Sequence, residues 1–129
     1  RSLVGERTFD RVFIDSPCTG LGTLRRHADI RWRLRPETIA ESAELDARLL
    51  ESAASHVAPG GILAYATCTV THEENADAVE AFLATEAGAA FEVVPCRNPD
   101  LDIELPFFST VLEPGGPDAH FLALLRRKA

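Results

Sequence analysis

The chain has 129 residues, of which 46% are hydrophobic and 26% charged, a composition typical of one soluble globular domain. No apolar run approaches the roughly 20 residues that a membrane-spanning helix needs, so we predict no membrane contact and a cytoplasmic location. The net charge of −7 argues against a generally basic nucleic-acid-binding protein, and three cysteines without a CxxC pair argue against a disulfide framework or a zinc site.

The first predicted element is a strand over Phe9–Asp15, because a short apolar run lies at its centre. The next segment, Ser16–Gly22, contains one proline and two glycines, which favour a turn. Cys18 therefore follows the carboxyl end of a strand, three residues after Asp15. Asp15 either accepts hydrogen bonds from a ligand at this edge or simply caps the turn.

A basic segment follows, and we predict that residues 22–35 are irregular. Five of the thirteen Lys and Arg residues fall in this segment, together with one tryptophan. Such a segment either binds a phosphate backbone and stacks a base, or is a solvated loop with a few ion pairs. Its cationic and aromatic members are Arg25, Arg26, Arg31, Trp32, Arg33 and Arg35.

A crossover helix comes next. Pro36 suits a first helical turn, and residues 37–57 carry apolar side chains at near-helical spacing. Gly60 and Gly61 are predicted to end this helix, and Ile62–Ala66 reads as a strand buried on both faces. Strand, helix and strand in this order predict a βαβ unit with parallel strands.

The remaining elements are predicted more briefly. Thr71 and Glu74 fit a capping box, so a helix is expected to begin near His72 and to cover about residues 73–86, with Gly88 as its C-cap. We predict a strand over Phe91–Pro95, a loop at 97–105, a short extended piece at 107–112 and a last strand at 119–126. Cys96, after the third strand, is interpreted as structural.

Cys68 lies two residues after the predicted strand Ile62–Ala66. Cys18 and Cys68 therefore follow the ends of two neighbouring parallel strands of the predicted sheet. In open α/β sheets the carboxyl ends of the strands form the edge where ligands bind. Two thiols there can serve as a nucleophile and as a partner in proton transfer, although a cysteine at such a position can also merely fill space. The four histidines are scattered along the chain, which argues against a metal site.

Three segments closely resemble the RNA cytosine-5 methyltransferases of the Sun (Fmu) family. They are Asp15–His27, Asp29–Trp32, and Thr67–Val70 with Glu73–Asn75. Bacterial members of that family methylate small-subunit ribosomal RNA, with S-adenosyl-L-methionine as cofactor. The resemblance extends from about Phe9 to Arg126 and implies an α/β fold: the C-terminal half of a Rossmann-like methyltransferase sheet, mostly parallel with an antiparallel last strand.

The resemblance also implies roles for individual residues. Cys68 matches the nucleophile that adds to carbon 6 of cytosine, and Cys18 matches the thiol that helps to eliminate the product. Asp15 and Pro17 match positions next to the cofactor and the target base. Four residues match positions that face RNA: Arg25, Arg26, Arg31 and Trp32.

The sequence departs from the family pattern in two places. Asp118–Phe121 stands where the family has Asp-Gly-Phe-Phe, and the glycine-rich cofactor loop and the acidic ribose-binding residue are absent. We therefore expect residues 1–129 to be a single partial domain, the C-terminal part of a catalytic domain. The first strand would then be an exposed edge, and we expect another copy of the chain or further structure to cover it.

Two other functions remain open at this point. The chain can be an inert half-domain that only binds RNA or self-associates. It can also be a DNA cytosine methyltransferase, whose nucleophile is the cysteine of the Pro-Cys motif, here Cys18.

Overall fold

The computed structural model describes residues 4–98 and 102–129. Two single 3₁₀ turns, Leu21–Thr23 and Gly88–Ala90, accompany the helices and strands. The helices and strands are, in chain order, β1 (Phe9–Asp15), α1 (Ile30–Arg33), α2 (Pro36–Ala54), β2 (Val57–Thr67), α3 (Ala76–Leu83), β3 (Phe91–Val93), β4 (Cys96–Asn98), β5 (Ile103–Leu105), β6 (Phe108–Ser109) and β7 (Phe121–Arg127).

The main sheet has the strand order β1-β2-β7-β3, and β6 also pairs with β7. Strands β1 and β2 are parallel, with Ile14 beside Tyr65 and Asp15 beside Ala66. Strand β7 is antiparallel to β2, β3 and β6, so it runs opposite to the other four strands. The predicted α/β fold with a reversed last strand is therefore confirmed.

Helix α2 joins the two parallel strands, which confirms the predicted βαβ unit. The side chains of Ile62–Ala66 alternate between buried and half-buried. This part of β2 is therefore fully buried on one face only, and the prediction of burial on both faces was wrong. One core cluster unites this face with α2 and α3, and dispersion and apolar burial there hold the layers together. Its members are Ile14, Leu50, Ala54, Val57, Leu63, Tyr65, Val79, Phe82, Phe91, Phe121, Ala123 and Leu125.

Strand β1 lies at the end of the strand order and, within the described ranges, pairs only with β2. The Phe13 side chain on this strand is 65% exposed. The exposed edge expected from the sequence is therefore present. Its coverage by another copy or by further structure stays a prediction.

The glycine pair before the second strand does not end the helix, so that prediction was wrong. Helix α2 ends at Ala54, and Gly60 and Gly61 lie inside β2. The register jumps here, from Phe9 beside Val57 to Arg11 beside Ile62, so β2 bulges opposite the start of β1. Gly60 accommodates the bulge with a φ of 78°.

Other elements also differ from the predictions. Residues 22–35 are not wholly irregular, because Ile30–Arg33 form helix α1. Helix α3 begins at Ala76 rather than near His72, because Glu74 turns into the core instead of capping the helix. It ends at Leu83, and Gly88 opens a 3₁₀ turn instead of capping a helix. The predicted loop at 97–105 is partly a β4–β5 ladder, and its central residues 99–101 lie outside the described residues.

A close backbone contact anchors the turn after β1. The Gly22 N–H donates to the Cys68 carbonyl at 2.9 Å, and the Gly22 carbonyl accepts from the Ala119 N–H at 3.0 Å. A Cβ atom at Gly22 would lie 2.1 Å from the Ala119 oxygen. Only glycine therefore fits between these two strand ends.

An ion-pair clamp holds the basic segment to the turn before β7. Asp118 is 3% exposed, and its two carboxylate oxygens contact Arg25 at 2.9 Å and Arg26 at 2.7 Å. The hydrogen bond from Arg25, with further help from Arg26, lowers the pKa of Asp118 below its usual range. Arg25 also donates to the Gly116 carbonyl at 2.6 Å, so the clamp includes the backbone.

We predict that Gly22→Ala destabilises the complete protein by about 3 kcal/mol, since backbone atoms on two sides must move. Urea unfolding measures the loss. The control is Gly115→Ala, where no atom lies within 4 Å and the only cost is the left-handed backbone, about 1 kcal/mol. Equal losses in the two variants would contradict the close-contact explanation.

We predict that Asp118→Asn lowers stability near neutral pH and that the difference from the wild type disappears in acid. The pKa of Asp118 is lower in the folded state, so its contribution is complete above the unfolded value and is lost as pH falls through the folded value. Thermal melts between about pH 7 and pH 3 test this. Asp29→Asn, which breaks the exposed pair with Arg33, should change stability by less than about 0.5 kcal/mol. A pH-independent loss in Asp118→Asn would contradict the prediction.

Candidate active site

Two free cysteines meet at the carboxyl edge of the parallel strand pair. The Sγ atoms of Cys18 and Cys68 lie 3.3 Å apart, and the Cys68 N–H donates to the Cys18 sulfur at 3.3 Å. The strand register explains the contact. Asp15 and Ala66 are paired at the ends of β1 and β2, so the two segments that carry the cysteines leave the sheet side by side. The predicted approach of the two thiols is therefore observed.

The two sulfurs are in contact, yet the two cysteine residues line different clefts. Cys68 lines a cleft of about 550 Å³ together with Asp15, Phe13 and His120. Cys18 lines an adjacent cleft of about 320 Å³ together with Arg33. The first cleft therefore brings Cys68 together with Asp15, the last residue of β1.

The two thiols have different surroundings. Burial, and next the hydrogen bond with Cys68, raise the pKa of Cys18 to about 12. Cys18 is therefore protonated at neutral pH. A protonated thiol is a hydrogen-bond donor rather than a nucleophile.

A buried carboxylate connects the two cysteine loops. Glu74 is fully buried, and its oxygens accept from the Thr19 N–H at 2.7 Å and the Thr19 hydroxyl at 2.7 Å. They also accept from the hydroxyls of Thr69 at 3.2 Å and Thr71 at 2.5 Å. From the sequence, Glu74 belonged to a predicted helix cap and to a segment that resembles the family, but it had no predicted role at the site. The overlooked signal is that a threonine follows each of the two cysteines.

Neighbouring polar groups complete this interior. Asn75 contacts the Thr67 hydroxyl through its amide oxygen at 2.5 Å and donates to the Thr69 carbonyl at 3.0 Å. The Tyr65 hydroxyl donates to the Glu74 carbonyl at 2.5 Å, and burial raises the pKa of Tyr65. The loop that carries Cys68 is thus held from both sides by side chains.

A second buried carboxylate supports the turn after β1. Asp46 of α2 is fully buried and accepts a hydrogen bond from the Ser16 hydroxyl. Its Oδ2 atom has no partner among the described residues. Burial raises the pKa of Asp46, although the Ser16 hydrogen bond opposes the shift. Asp46 falls on the apolar face of the predicted helix, which indicates burial, but no local pattern points to Ser16 as its partner.

The residues predicted to face RNA are distributed differently. Arg25 and Arg26 bind Asp118, so their guanidinium groups already have a carboxylate partner. Trp32 is 80% exposed, and the Arg31 guanidinium lies 5.2 Å from the centre of its ring. The predicted group is therefore divided into a clamp and an exposed aromatic platform.

The remaining predicted positions are at the surface. Asp15 is exposed at the end of β1, and Pro17 is exposed in the turn before Cys18. Within residues 4–98 and 102–129, no group of three His, Cys, Asp or Glu side chains is arranged to hold a metal ion. None of the helices described in the structure is long and apolar enough to cross a membrane.

A curated relative with a similar sequence is a ribosomal RNA methyltransferase. The curated small-subunit ribosomal RNA methyltransferase B of Salmonella newport (strain SL254) is 48% identical over 86 residues, which are 67% of this chain and 20% of that protein. The chain therefore spans about a fifth of the length of this curated relative.

Two solved structures share the fold. That of PH0851 is 36% identical, with a TM-score of 0.83, over 97% of this chain and 28% of that one. That of a methyltransferase homologue from Pyrococcus horikoshii is 28% identical, with a TM-score of 0.72, over 94% of this chain and 40% of that one. The family model described as 16S rRNA methyltransferase RsmB/F matches residues 1–127. The chain belongs to the RsmB/F family of 16S rRNA methyltransferases.

Proposed function

We propose that this chain carries the reacting half of an RNA cytosine-5 methyltransferase, which transfers a methyl group from S-adenosyl-L-methionine to carbon 5 of a cytosine in small-subunit ribosomal RNA. Family membership supports the reaction class. The observation that carries the proposal is the 3.3 Å contact between two free thiols at the edge of the sheet. Both cysteines are free thiols, and neither belongs to a metal-ligand cluster among the described residues.

We assign the nucleophile to Cys68. Its thiolate adds to carbon 6 of the cytosine, and the electron pair of the C5=C6 double bond then makes carbon 5 nucleophilic. After the transfer, a solvent water or hydroxide takes the proton from carbon 5. The C5–H electron pair restores the double bond, and the Cys68 thiolate leaves carbon 6. The cleft that Cys68 shares with Asp15 supports this assignment.

S-adenosyl-L-methionine, when bound, supplies the methyl group. Asp15 and Phe13 line the same cleft as Cys68 and fit a place beside it, with Pro17 shaping the turn next to them. The Gly20–Gly22 turn does not fit it as a nucleotide-binding loop, because Gly22 packs directly against neighbouring backbone. We therefore assign to this chain one wall of the cofactor site, next to the reacting base.

We assign product release to Cys18. Its thiol stays protonated at neutral pH because burial raises its pKa to about 12. At 3.3 Å it can donate a hydrogen bond to the Cys68 sulfur as that sulfur leaves carbon 6. A DNA methyltransferase mechanism would need Cys18 as the nucleophile, and Cys18 does not line the cleft that contains Cys68 and Asp15.

We assign RNA contact to the basic segment. The exposed Trp32 ring offers a face on which a base can stack, and Arg31 beside it supplies positive charge. The side chains of Arg25 and Arg26 remain 45% and 67% exposed while they bind Asp118, so each can also contact a phosphate.

The test of the nucleophile is covalent trapping on RNA that contains 5-fluorocytosine, in the presence of the cofactor. Release of the enzyme requires loss of a proton from carbon 5. With fluorine in place of that hydrogen no proton can be lost, so the covalent adduct persists. In the complete protein we predict an adduct for the wild type and for Cys18→Ala, and none for Cys68→Ala. The covalent protein–RNA adduct is detected by its reduced mobility in gel electrophoresis under denaturing conditions.

Cys96→Ala is the control for this experiment, since Cys96 lies outside both clefts and should keep the adduct. If the adduct survived in Cys68→Ala and was lost in Cys18→Ala, the nucleophile would be Cys18 and the assignment would be wrong.

The raised pKa of Cys18 has its own test. The thiolate is the form that iodoacetamide alkylates, so Cys18 should react about 10²–10³-fold more slowly near pH 8.5 than a thiol with the ordinary value of 9.0. Its rate should still rise with pH above about 10. Peptide mass spectrometry of the complete protein measures the rate.

Cys68→Ala should leave the alkylation of Cys18 slow, because burial is the largest cause of the shift. Half-maximal reactivity of Cys18 below about pH 9 would contradict the protonated-donor role.

A further inference from the structure

We propose that Glu74 is a positioning residue that holds the two cysteine sulfurs in contact. The effect of Glu74 on catalysis rests on the proposed function. Its effect on the distance between the two sulfurs does not, and a cross-linking experiment measures it separately.

The two loops converge on one side chain. Thr19 follows Cys18 and Thr69 follows Cys68, and both threonine hydroxyls reach Oε2 of Glu74. The two hydroxyls also lie 2.8 Å from each other. The residue after each cysteine is therefore fixed to the same carboxylate, across 55 positions of sequence between Thr19 and Glu74.

The pattern of donors requires an acceptor at this position. The Thr19 N–H can only donate, and it points at Oε1 of Glu74 at 2.7 Å. The Thr19 hydroxyl gives its single hydrogen to Oε2, so the Thr69 hydroxyl donates either to Thr19 or to Glu74. A carboxylate accepts all of these bonds without supplying a donor. Burial of such a group is tolerated only when it is hydrogen-bonded in this way.

The position of the sulfurs follows from this network. The Cys68 N–H donates to the Cys18 sulfur at 3.3 Å, and the two sulfurs are 3.3 Å apart. Both contacts lie one residue from a threonine bound to Glu74. Loss of the carboxylate would release the two threonines together, and the sulfurs would separate.

The other buried carboxylate lacks this arrangement. Asp46 is held by the Ser16 hydroxyl, which lies on the Cys18 side, and its second oxygen has no partner among the described residues. Asp46 thus supports one loop, whereas Glu74 joins both.

The experiment compares the complete wild-type protein with Glu74→Gln and with Glu73→Gln. The glutamine amide has the same shape as the glutamate side chain. Its NH₂ group replaces an acceptor oxygen with two N–H donors, which then face the N–H and hydroxyl donors of the threonines. Glu73 is the neighbouring exposed residue, so its substitution removes the same charge without touching the network.

The first readout is geometric and uses neither RNA nor cofactor. An azodicarboxamide oxidant takes up the two thiol hydrogens while the sulfurs of Cys18 and Cys68 form a disulfide. We expect Glu74→Gln to form this disulfide about tenfold more slowly than the wild type, and Glu73→Gln to match the wild type. Peptide mass spectrometry identifies the cross-link and gives its rate.

The second readout is kinetic. We expect kcat for RNA methylation to fall about 100-fold in Glu74→Gln, with KM for RNA nearly unchanged, because misplacement of the sulfurs affects the reaction and not RNA binding. Glu73→Gln should retain kcat. If the wild type does not methylate RNA, the proposed function fails, and the cross-linking rates alone still decide the role of Glu74.

The inference is overturned if Glu74→Gln cross-links at the wild-type rate. If Glu74→Gln does not fold, as thermal melting would show, Thr69→Val replaces it. That variant removes one hydroxyl of the Cys68 loop and leaves the Thr19 and Thr71 bonds to Glu74 in place. Thr69→Val should also slow cross-linking, by a smaller factor than the tenfold expected for Glu74→Gln. A cross-linking rate equal to that of the wild type would overturn the inference as well.

Discussion

Parallel pairing of β1 with β2 is the constraint on which the site depends. Two parallel strands end at the same edge, so the segments that follow them must leave the sheet together. Here the last residues of the register are Asp15 and Ala66, and Cys18 and Cys68 follow at similar distances. Helix α2 makes this pairing possible, since a parallel connection needs a crossover that returns the chain to the start of the sheet.

The interior beneath this edge is unusually polar for a small core. Glu74 and Asp46 are both fully buried, yet their carboxylates are satisfied to different degrees. Four donors lie within hydrogen-bond distance of the Glu74 carboxylate, whereas one oxygen of Asp46 has no partner among the described residues. Buried polar groups cost stability unless they are paired, so a core of this kind trades stability for a defined arrangement of the two loops.

The same arrangement places two identical side chains in different surroundings. Cys18 is placed where burial keeps its thiol protonated, while Cys68 lines the cleft that contains Asp15. Different surroundings are the usual means by which a fold assigns different roles to like groups. The division of roles that we propose, a nucleophile and a hydrogen-bond donor, follows from position rather than from residue type.

Much of this could be predicted from the sequence alone. The bounds of β1, the crossover helix, the strand order in the βαβ unit and the placement of both cysteines at strand ends follow from apolar periodicity and turn residues, which are local signals. The family was also recognisable, because its motifs are contiguous stretches such as Asp15–His27 and Thr67–Val70.

Only the tertiary structure decided where the polar side chains point. Glu74 fitted a helix cap three residues from Thr71, and Arg25 and Arg26 fitted an open RNA-binding surface. In the fold, Glu74 binds Thr19 and the two arginines bind Asp118, partners that are 55 and more than 90 positions away. Local patterns specify backbone conformation and buried faces, but a polar side chain takes its partner from whichever donors the folded chain brings within about 3 Å.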